Sequence, residues 1–95
     1  MLSSKDRRYL RGKASTMKDI IHIGKDGLNK NIVKQADDAL EKRELIKGKI
    51  QQNSLVDVKE AAKFLSENTS SEIVCTIGNK FFLYRKNTDK NIYNL

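Results

Sequence analysis

Short apolar runs alternate along this chain with stretches in which apolar residues recur every three to four positions. The longest unbroken apolar run has only four residues, Phe81 to Tyr84. Apolar runs this short are typical of buried strands, and the three-to-four spacing is typical of amphipathic helices that cover them. The pattern therefore predicts a small sheet that carries helices, and it leaves no segment long enough to cross a membrane.

Capping signals mark the start of three predicted helices. Ser3 with Asp6 opens the first helix, and Asn29 opens a second helix that covers about 29–43. The third helix is predicted to begin at a capping box, with its apolar face starting directly after the serine of that box. The residues concerned are Ser54 and Asp57 for the box and Leu55, Val58, Ala61, Ala62 and Leu65 for the face.

Four strands are predicted between and after these helices, and the element order is α-β-α-β-α-β-β. Each β-α-β step is expected to give parallel neighbours, and Gly78-Asn79 predicts an antiparallel hairpin of the last two strands. With 95 residues, the chain fits a single α/β (α+β) domain with a four-stranded mixed sheet, expected over residues 2–86, followed by a loosely ordered tail over 87–95. The predicted strands are Ile20–Ile23, Leu45–Ile50, Ile73–Ile77 and Phe81–Arg85.

The basic residues are concentrated in the first half of the chain. The net charge is +7, and +6 of it falls within residues 1–49. A one-sided basic field attracts a polyanion, either nucleic acid or an anionic membrane surface. A basic surface without any partner is the alternative that the charge alone leaves open.

The loop Gly24–Gly27 stands between a predicted strand and a predicted helix. Its two glycines permit positive φ angles and a close approach to the backbone. The start of the following helix offers free N–H groups and the positive end of the helix dipole, which favour a phosphate. Lys25, Lys30 and Lys34 are candidate phosphate contacts, whereas Asp26 would repel a phosphate unless it caps the loop. A purely structural turn is the alternative.

Two further basic sets are candidate parts of the same surface. Lys47 and Lys49 stand on one face of the second predicted strand, although a solvated face is the simpler interpretation for that pair. The other set lies along the first predicted helix and directly after it. Its members are Lys5, Arg7, Arg8, Arg11, Lys13 and Lys18.

The sequence gives little support to catalysis. His22 and Cys75 are the only histidine and the only cysteine, and both lie in predicted strands. We expect His22 to be packed and hydrogen-bonded, and Cys75 to be an inert, buried thiol. No catalytic residue, metal site or cofactor is therefore predicted, and a small hydrolase or transferase subunit is the least supported class.

Several separated motifs occur in a fixed order and spacing: Ile23–Leu28, Ala39–Glu41, Glu44–Lys47, Ile77-Gly78 and Leu83–Arg85. Together they resemble the CRM domain (chloroplast RNA splicing and ribosome maturation), in its stand-alone bacterial YhbY-like form. The resemblance implies a fold similar to the C-terminal domain of translation initiation factor three. It also implies an RNA-binding loop at Gly24–Gly27, comparable to the loop with which KH domains clamp a nucleic-acid backbone. Gly48 departs from the family pattern, which commonly has an apolar residue there.

The resemblance further implies association with precursors of the large ribosomal subunit. We therefore expect a non-enzymatic, monomeric and cytoplasmic RNA-binding protein that contacts structured ribosomal RNA and assists subunit assembly, without a small-molecule substrate. The alternative is a small basic DNA-binding protein. That alternative requires a basic or amide-rich recognition helix, yet the outer face of 29–43 carries Asp37, Asp38 and Glu41.

Overall fold

A computed structural model describes residues 2–95 of the chain. Its element order is α-β-α-β-α-β-β, which confirms the predicted α+β fold. Within the described residues, no helix is long and apolar enough to cross a bilayer. The elements are α1 (Ser4–Ala14), β1 (Ile21–Ile23), α2 (Lys30–Arg43), β2 (Leu45–Ile50), α3 (Val58–Thr69), β3 (Glu72–Ile77) and β4 (Lys80–Tyr84).

The four strands form one mixed sheet in the order β1-β2-β4-β3. β1 and β2 are parallel, and β4 is antiparallel to both of its neighbours. The expectation of parallel neighbours is confirmed for β1 and β2 but is wrong for β2 and β3, because β4 lies between them. The cause is the apolar run in β4: Phe81 and Leu83 pack on one face of the sheet, and Phe82 and Tyr84 on the other. Only a central strand buries both faces.

The sheet separates two apolar clusters. The inner face, which carries Phe81 and Leu83, is covered by α2 and α3, and their buried residues include Ala36, Leu40 and Leu65. The outer face is covered by α1 and by the last residues of the chain. Its cluster consists of Leu2, Leu10, Ala14, Leu45, Val74, Phe82 and Tyr84, with Met17, Cys75, Tyr93 and Leu95 packed at its margin.

Gly48 has a packing reason in this sheet. A Cβ built at Gly48 would lie 2.1 Å from Cζ of Phe81, its register partner on β4. Atoms cannot approach so closely, so the fully buried Phe81 ring occupies the space that a side chain at position 48 would need. The apolar side chain that the family pattern has at this position is thus replaced by the ring of a neighbouring aromatic residue.

The helix starts are confirmed for two helices and corrected for the third. Ser3 and Asp6 form a reciprocal capping box, and Asn29 caps α2. In α3, the N-cap is Asp57, whose carboxylate accepts hydrogen bonds from the backbone N–H groups of Lys59 and Glu60.

The predicted Ser54–Asp57 capping box is therefore wrong. Ser54 instead accepts a hydrogen bond from Val56 N (3.2 Å) in a local turn, a competing use of serine hydroxyls. Leu55 lies outside the helix and is fully exposed, so it does not line the apolar face.

Residues 87–95 contain no helix or strand but touch the domain at several points. The backbone N–H groups of Asn87 and Ile92 donate to the two carboxylate oxygens of Glu44, at 2.7 and 2.8 Å. The Tyr93 ring packs edge-on against Tyr9 and Tyr84. The loose order expected for this tail concerns its motion and stays a prediction.

Candidate nucleic-acid interface

The Gly24–Gly27 loop is a tight turn between β1 and α2. Gly27 N donates to Gly24 O at 3.1 Å, and Gly27 has a φ of 69°, which favours glycine. Both glycines permit positive φ, and only Gly27 of the two adopts it. Lys25 and Asp26 occupy the two central positions of the turn, and both are exposed.

Gly24 is instead the site of a close approach by a neighbouring side chain. A Cβ at Gly24 would lie 2.8 Å from Oε1 of Gln51, in the connection between β2 and α3. Gln51 N also donates to Ile23 O at 2.8 Å, directly before the turn. At the other end of the turn, Gly27 faces the Val56 side chain, 3.5 Å from where a Cβ would stand. The glycine turn and the β2–α3 connection therefore pack together.

A third segment meets them at the same end of the sheet. Because β1 and β2 are parallel and β4 is antiparallel to β2, the β3–β4 turn lies beside the carboxyl ends of β1 and β2. Asn79 fixes this turn: its backbone oxygen accepts from Ile50 N (2.8 Å), and its Nδ2 donates to Ile50 O (2.9 Å). We call the region formed by residues 24–27, 51–57 and 78–79 the loop end of the sheet.

The N-terminus of α2 adds positive potential to the loop end. Asn29 Oδ1 accepts a hydrogen bond from Ile32 N at 3.0 Å, and the described first turn of α2 carries no acidic residue. Lys30 and Lys34 are exposed along this helix. The free N–H groups, the helix dipole and the ammonium groups favour the same ligand, an anion.

Asp26 does not act as a cap of the turn. It is exposed, and within residues 2–95 its carboxylate takes part in no hydrogen bond or ion pair. The positive groups of Lys25 and Lys30 therefore stand beside a single solvated carboxylate. The charge of the turn itself is balanced, and the excess positive charge comes from the helix start.

The basic residues of α1 lie on the outer face of the sheet, apart from the glycine turn. Lys5, Arg8 and Arg11 are exposed. Arg7 is tied into the fold, because it donates to Ile73 O (3.3 Å) and to Leu2 O (2.8 Å). An open concavity of about 320 Å³ lies between α1 and β3 and is lined by Ser4, Arg7, Arg8, Arg11, Val74 and Cys75. Lys13 and Lys18 are also exposed.

Lys47 and Lys49 share the outer face as predicted, but their surroundings differ. Lys47 is only 7% exposed, because the connection between α1 and β1 covers it. Its ammonium donates to Met17 O at 3.2 Å, approaches Asp19 at 3.9 Å and stands 5.7 Å from the centre of the Phe82 ring. Lys47 is therefore engaged within the domain, and the structure does not bring it to the surface with Lys49.

Where α1 no longer covers the outer face, polar side chains of three adjacent strands form a row next to the loop end. The strand register pairs His22 with Lys49 and Lys49 with Lys80. Lys80 also approaches Asp19 at 3.8 Å, so this row lies next to the α1–β1 connection. Lys49 and Lys80 thus form a basic pair beside the loop end.

The sequence profile of the CRS1 / YhbY (CRM) domain matches residues 2–85. The chain belongs to the CRM domain family.

Relatives in the family agree with this assignment. The chain is 42% identical over 89 residues to "Probable RNA-binding protein YqeI" of Bacillus subtilis, covering 94% of this chain and 93% of that protein. It is 34% identical over 86 residues to "Probable RNA-binding protein MJ0652" of Methanocaldococcus jannaschii, covering 88% of this chain and 63% of that protein.

A solved structure in the family has the same fold. The solution structure of the hypothetical protein SAV1595 from Staphylococcus aureus, described as a candidate RNA-binding protein, superimposes with a TM-score of 0.78. The two chains are 49% identical, and the match covers 92% of this chain and 91% of that one. The mixed sheet with three helices is therefore shared.

The two residues with catalytic potential are held apart. His22 is on β1 and Cys75 is on β3, at opposite edges of the sheet, which puts them on the order of 14 Å apart at the usual strand spacing. His22 is exposed, so the expectation of a packed histidine is wrong. Cys75 is half-buried, so the expectation of a fully buried thiol is wrong. This burial still raises the pKa of the Cys75 thiol, and the nearby Arg11 only partly offsets the effect. A nucleophilic thiolate is accordingly disfavoured.

Several residues at and beside the loop end are not predicted from the sequence. Lys80 and the amide side chains of Gln51, Gln52, Asn53 and Asn79 were not among the candidates, yet they surround Lys49. One signal could have found them: segments that follow parallel strands meet at one edge of a sheet, and the hairpin turn returns to that edge.

Proposed function

We propose that this CRM-domain protein binds structured RNA through the loop end of its sheet and acts in assembly of the large ribosomal subunit in the cytoplasm. The observation that carries the proposal is the position of Lys25 and Lys30. Both are exposed, and both stand where the Gly27 turn leads into the first N–H groups of α2 that the Asn29 cap leaves free. The RNA-binding names of the relatives support the same class of ligand. The ribosomal role rests on the resemblance to the YhbY-like form.

The mechanism is contact with the RNA backbone. One phosphate lies against the glycine turn and the α2 N-terminus, where a side chain on the turn would block its approach. Exposed basic residues of α1 and of the outer-face row neutralise neighbouring phosphates. Since these contacts carry no base information, the selectivity that they provide comes from the shape of the backbone.

The first test measures binding of a ribosomal RNA hairpin by fluorescence anisotropy at several salt concentrations. Four to six phosphate contacts predict a log–log salt slope of roughly −3 to −5. The double variant Lys25→Ala/Lys30→Ala should bind roughly tenfold or more weakly, because each lysine makes a charge-assisted contact. Its slope should be shallower by about 1.5, the share of two phosphates.

The matched control is Lys59→Ala/Lys63→Ala, which removes two exposed lysines from α3. It should leave affinity nearly unchanged, and both double variants should keep the wild-type melting temperature. Equal affinity of the Lys25→Ala/Lys30→Ala variant and the wild type would move the interface to α1. Tighter binding of duplex DNA than of RNA at one salt concentration would favour the DNA-binding alternative. Sedimentation of cell extract tests the assembly role, with the protein expected in fractions that contain large-subunit precursors.

A further inference from the structure

An open concavity of about 410 Å³ lies at the loop end. It is lined by Lys49, Gln51, Gln52, Asn53 and Asn79. The lining thus offers one ammonium group and four side-chain amides. Its volume is at the lower end of the range for ligand pockets, which suits a single planar group better than a folded domain.

Most of the side-chain amides that line this concavity make no hydrogen bond to the described residues of the domain. Among residues 2–95, only Asn79 of these four uses its side-chain amide internally, with Nδ2 donating to Ile50 O (2.9 Å) and Oδ1 left available. Two amides elsewhere in the fold are committed to internal hydrogen bonds: Asn29 caps a helix, and Asn68 donates to Phe64 O at 2.8 Å. Three uncommitted amides and a lysine around one hollow indicate a ligand with adjacent hydrogen-bond donors and acceptors.

We infer that this concavity is a subsite for one unpaired RNA base, an inference that rests on the proposed function. A carboxamide places a donor and an acceptor side by side, which matches the edges of unstacked nucleobases. Gln51 lies directly against Gly24, so a strand whose phosphate rests on the glycine turn delivers its next base to the concavity. Lys49 then faces the phosphate of that nucleotide. The turn holds the backbone and the amides select the base.

This division of roles predicts a base preference that the backbone contacts cannot produce. Four RNA hairpins with one common stem, and with loops made only of A, C, G or U, are titrated at one salt concentration. The wild type should separate the best from the worst loop by about fivefold or more, as one good bidentate contact does. In Gln52→Ala/Asn53→Ala, the four affinities should converge to within about twofold.

Two further variants test whether the amides of the concavity cause the base preference. Gln52→Glu keeps an acceptor but loses a donor, so it should change which loop is bound best. Gln35→Ala removes an exposed amide from α2 and should leave the preference unchanged. A melting curve accompanies each variant, and all should match the wild type because the substituted side chains are exposed.

Four results would overturn the subsite. Equal affinity of the wild type for all four loops would overturn the subsite and leave the proposed function intact. A base preference that is unchanged in Gln52→Ala/Asn53→Ala would have the same consequence. An equal weakening for all four loops, like that expected of Lys25→Ala/Lys30→Ala, would make these amides general backbone contacts. Absence of RNA binding by the wild type would overturn the proposed function as well.

Discussion

The two ends of the sheet use charged side chains in opposite ways. At the end opposite the loop end, which we call the tail end, Arg85 donates to Asp37 (2.6 Å), to Glu41 (3.3 Å) and to Thr69 O (2.8 Å). The carboxylate of Glu44 is fully buried there and receives two backbone N–H groups of the tail. These groups are held by the domain itself.

The loop end shows the reverse. The ion pairs within residues 2–95 use only Lys47, Lys80 and Arg85 among the basic side chains, so Lys25 and Lys30 have no carboxylate partner. A charge with internal partners contributes to stability, and a charge without them is free for a ligand. Variants at the tail end should therefore alter stability alone, and variants at the loop end should alter binding alone.

The largest stability effect is expected at Glu44. Glu44→Ala removes both acceptors for the tail and should lower the free energy of unfolding by about 2–3 kcal/mol, the range for hydrogen bonds to a charged group. The amide protons of Asn87 and Ile92 should then exchange quickly in hydrogen-exchange measurements. The wild-type exchange rates of these amides also decide whether the tail is loosely ordered. RNA affinity should stay within about twofold of wild type, since the substitution is remote from the loop end.

Glu67→Ala, at an exposed position on α3, serves as the control and should change stability by less than about 0.5 kcal/mol. If Glu44→Ala weakens RNA binding as much as Lys25→Ala/Lys30→Ala does, the two ends are coupled and the proposed separation is wrong. Urea denaturation and fluorescence anisotropy on the same protein samples give both quantities.

The features that could be predicted from the sequence are those that depend on residues close together along the chain. The capping box of Ser3 and Asp6, the N-cap at Asn29 and the extent of β2 all follow from local hydrogen bonding and apolar spacing, and the structure has each of them. The Ser54–Asp57 box failed for the same local reason, because both serine and aspartate favour helix starts and the pattern does not rank them. Here Asp57 takes the cap and Ser54 forms the preceding turn.

Long-range contacts set the limit for the candidate site. Lys47 and Lys49 are equivalent in the sequence pattern, but the α1–β1 connection covers Lys47 and leaves Lys49 partly exposed. Arg7 looks like the exposed Arg8 beside it, yet it is hydrogen-bonded to Ile73 O across the outer face. Which lysine or arginine is free depends on how distant segments pack, and apolar periodicity alone does not contain that information.

The two glycines of the turn should differ in a measurable way. Gly27→Ala has room for its Cβ but is forced into a positive φ, which should cost roughly 1–2 kcal/mol of stability. Gly24→Ala meets only the flexible end of Gln51, which can move aside, so its cost should be less than about 0.5 kcal/mol. Gly24→Ala should instead reduce the base preference, because it displaces Gln51 from the concavity. Equal destabilisation by the two variants in urea denaturation would contradict this assignment.

The smallest effect is expected at Tyr84, on the tail end. Its hydroxyl is buried without a hydrogen-bond partner among residues 2–95, and burial, followed by the nearby Glu44 carboxylate, raises the pKa of this phenol above its ordinary value. The unfolded chain therefore releases this proton at lower pH than the folded one. The stability that Tyr84 contributes is complete below about pH 10 and falls as the pH rises toward the raised value.

Tyr84→Phe removes a buried hydroxyl that lacks a partner, so at pH 8 it should be neutral or stabilising by less than about 1 kcal/mol. Between about pH 9 and pH 11 the variant should lose less stability than the wild type, because one of the groups that ionise more readily in the unfolded chain is gone. Burial also raises the pKa of Tyr93 in the tail, so part of the alkaline loss should persist in Tyr84→Phe and diminish in the double variant with Tyr93→Phe. Urea denaturation at pH 8 and across the range from about pH 9 to pH 11 measures these differences in stability. An unchanged alkaline loss in the double variant would mean that the tail-end tyrosines are solvated, and the tail end would then be less closed than its contacts imply.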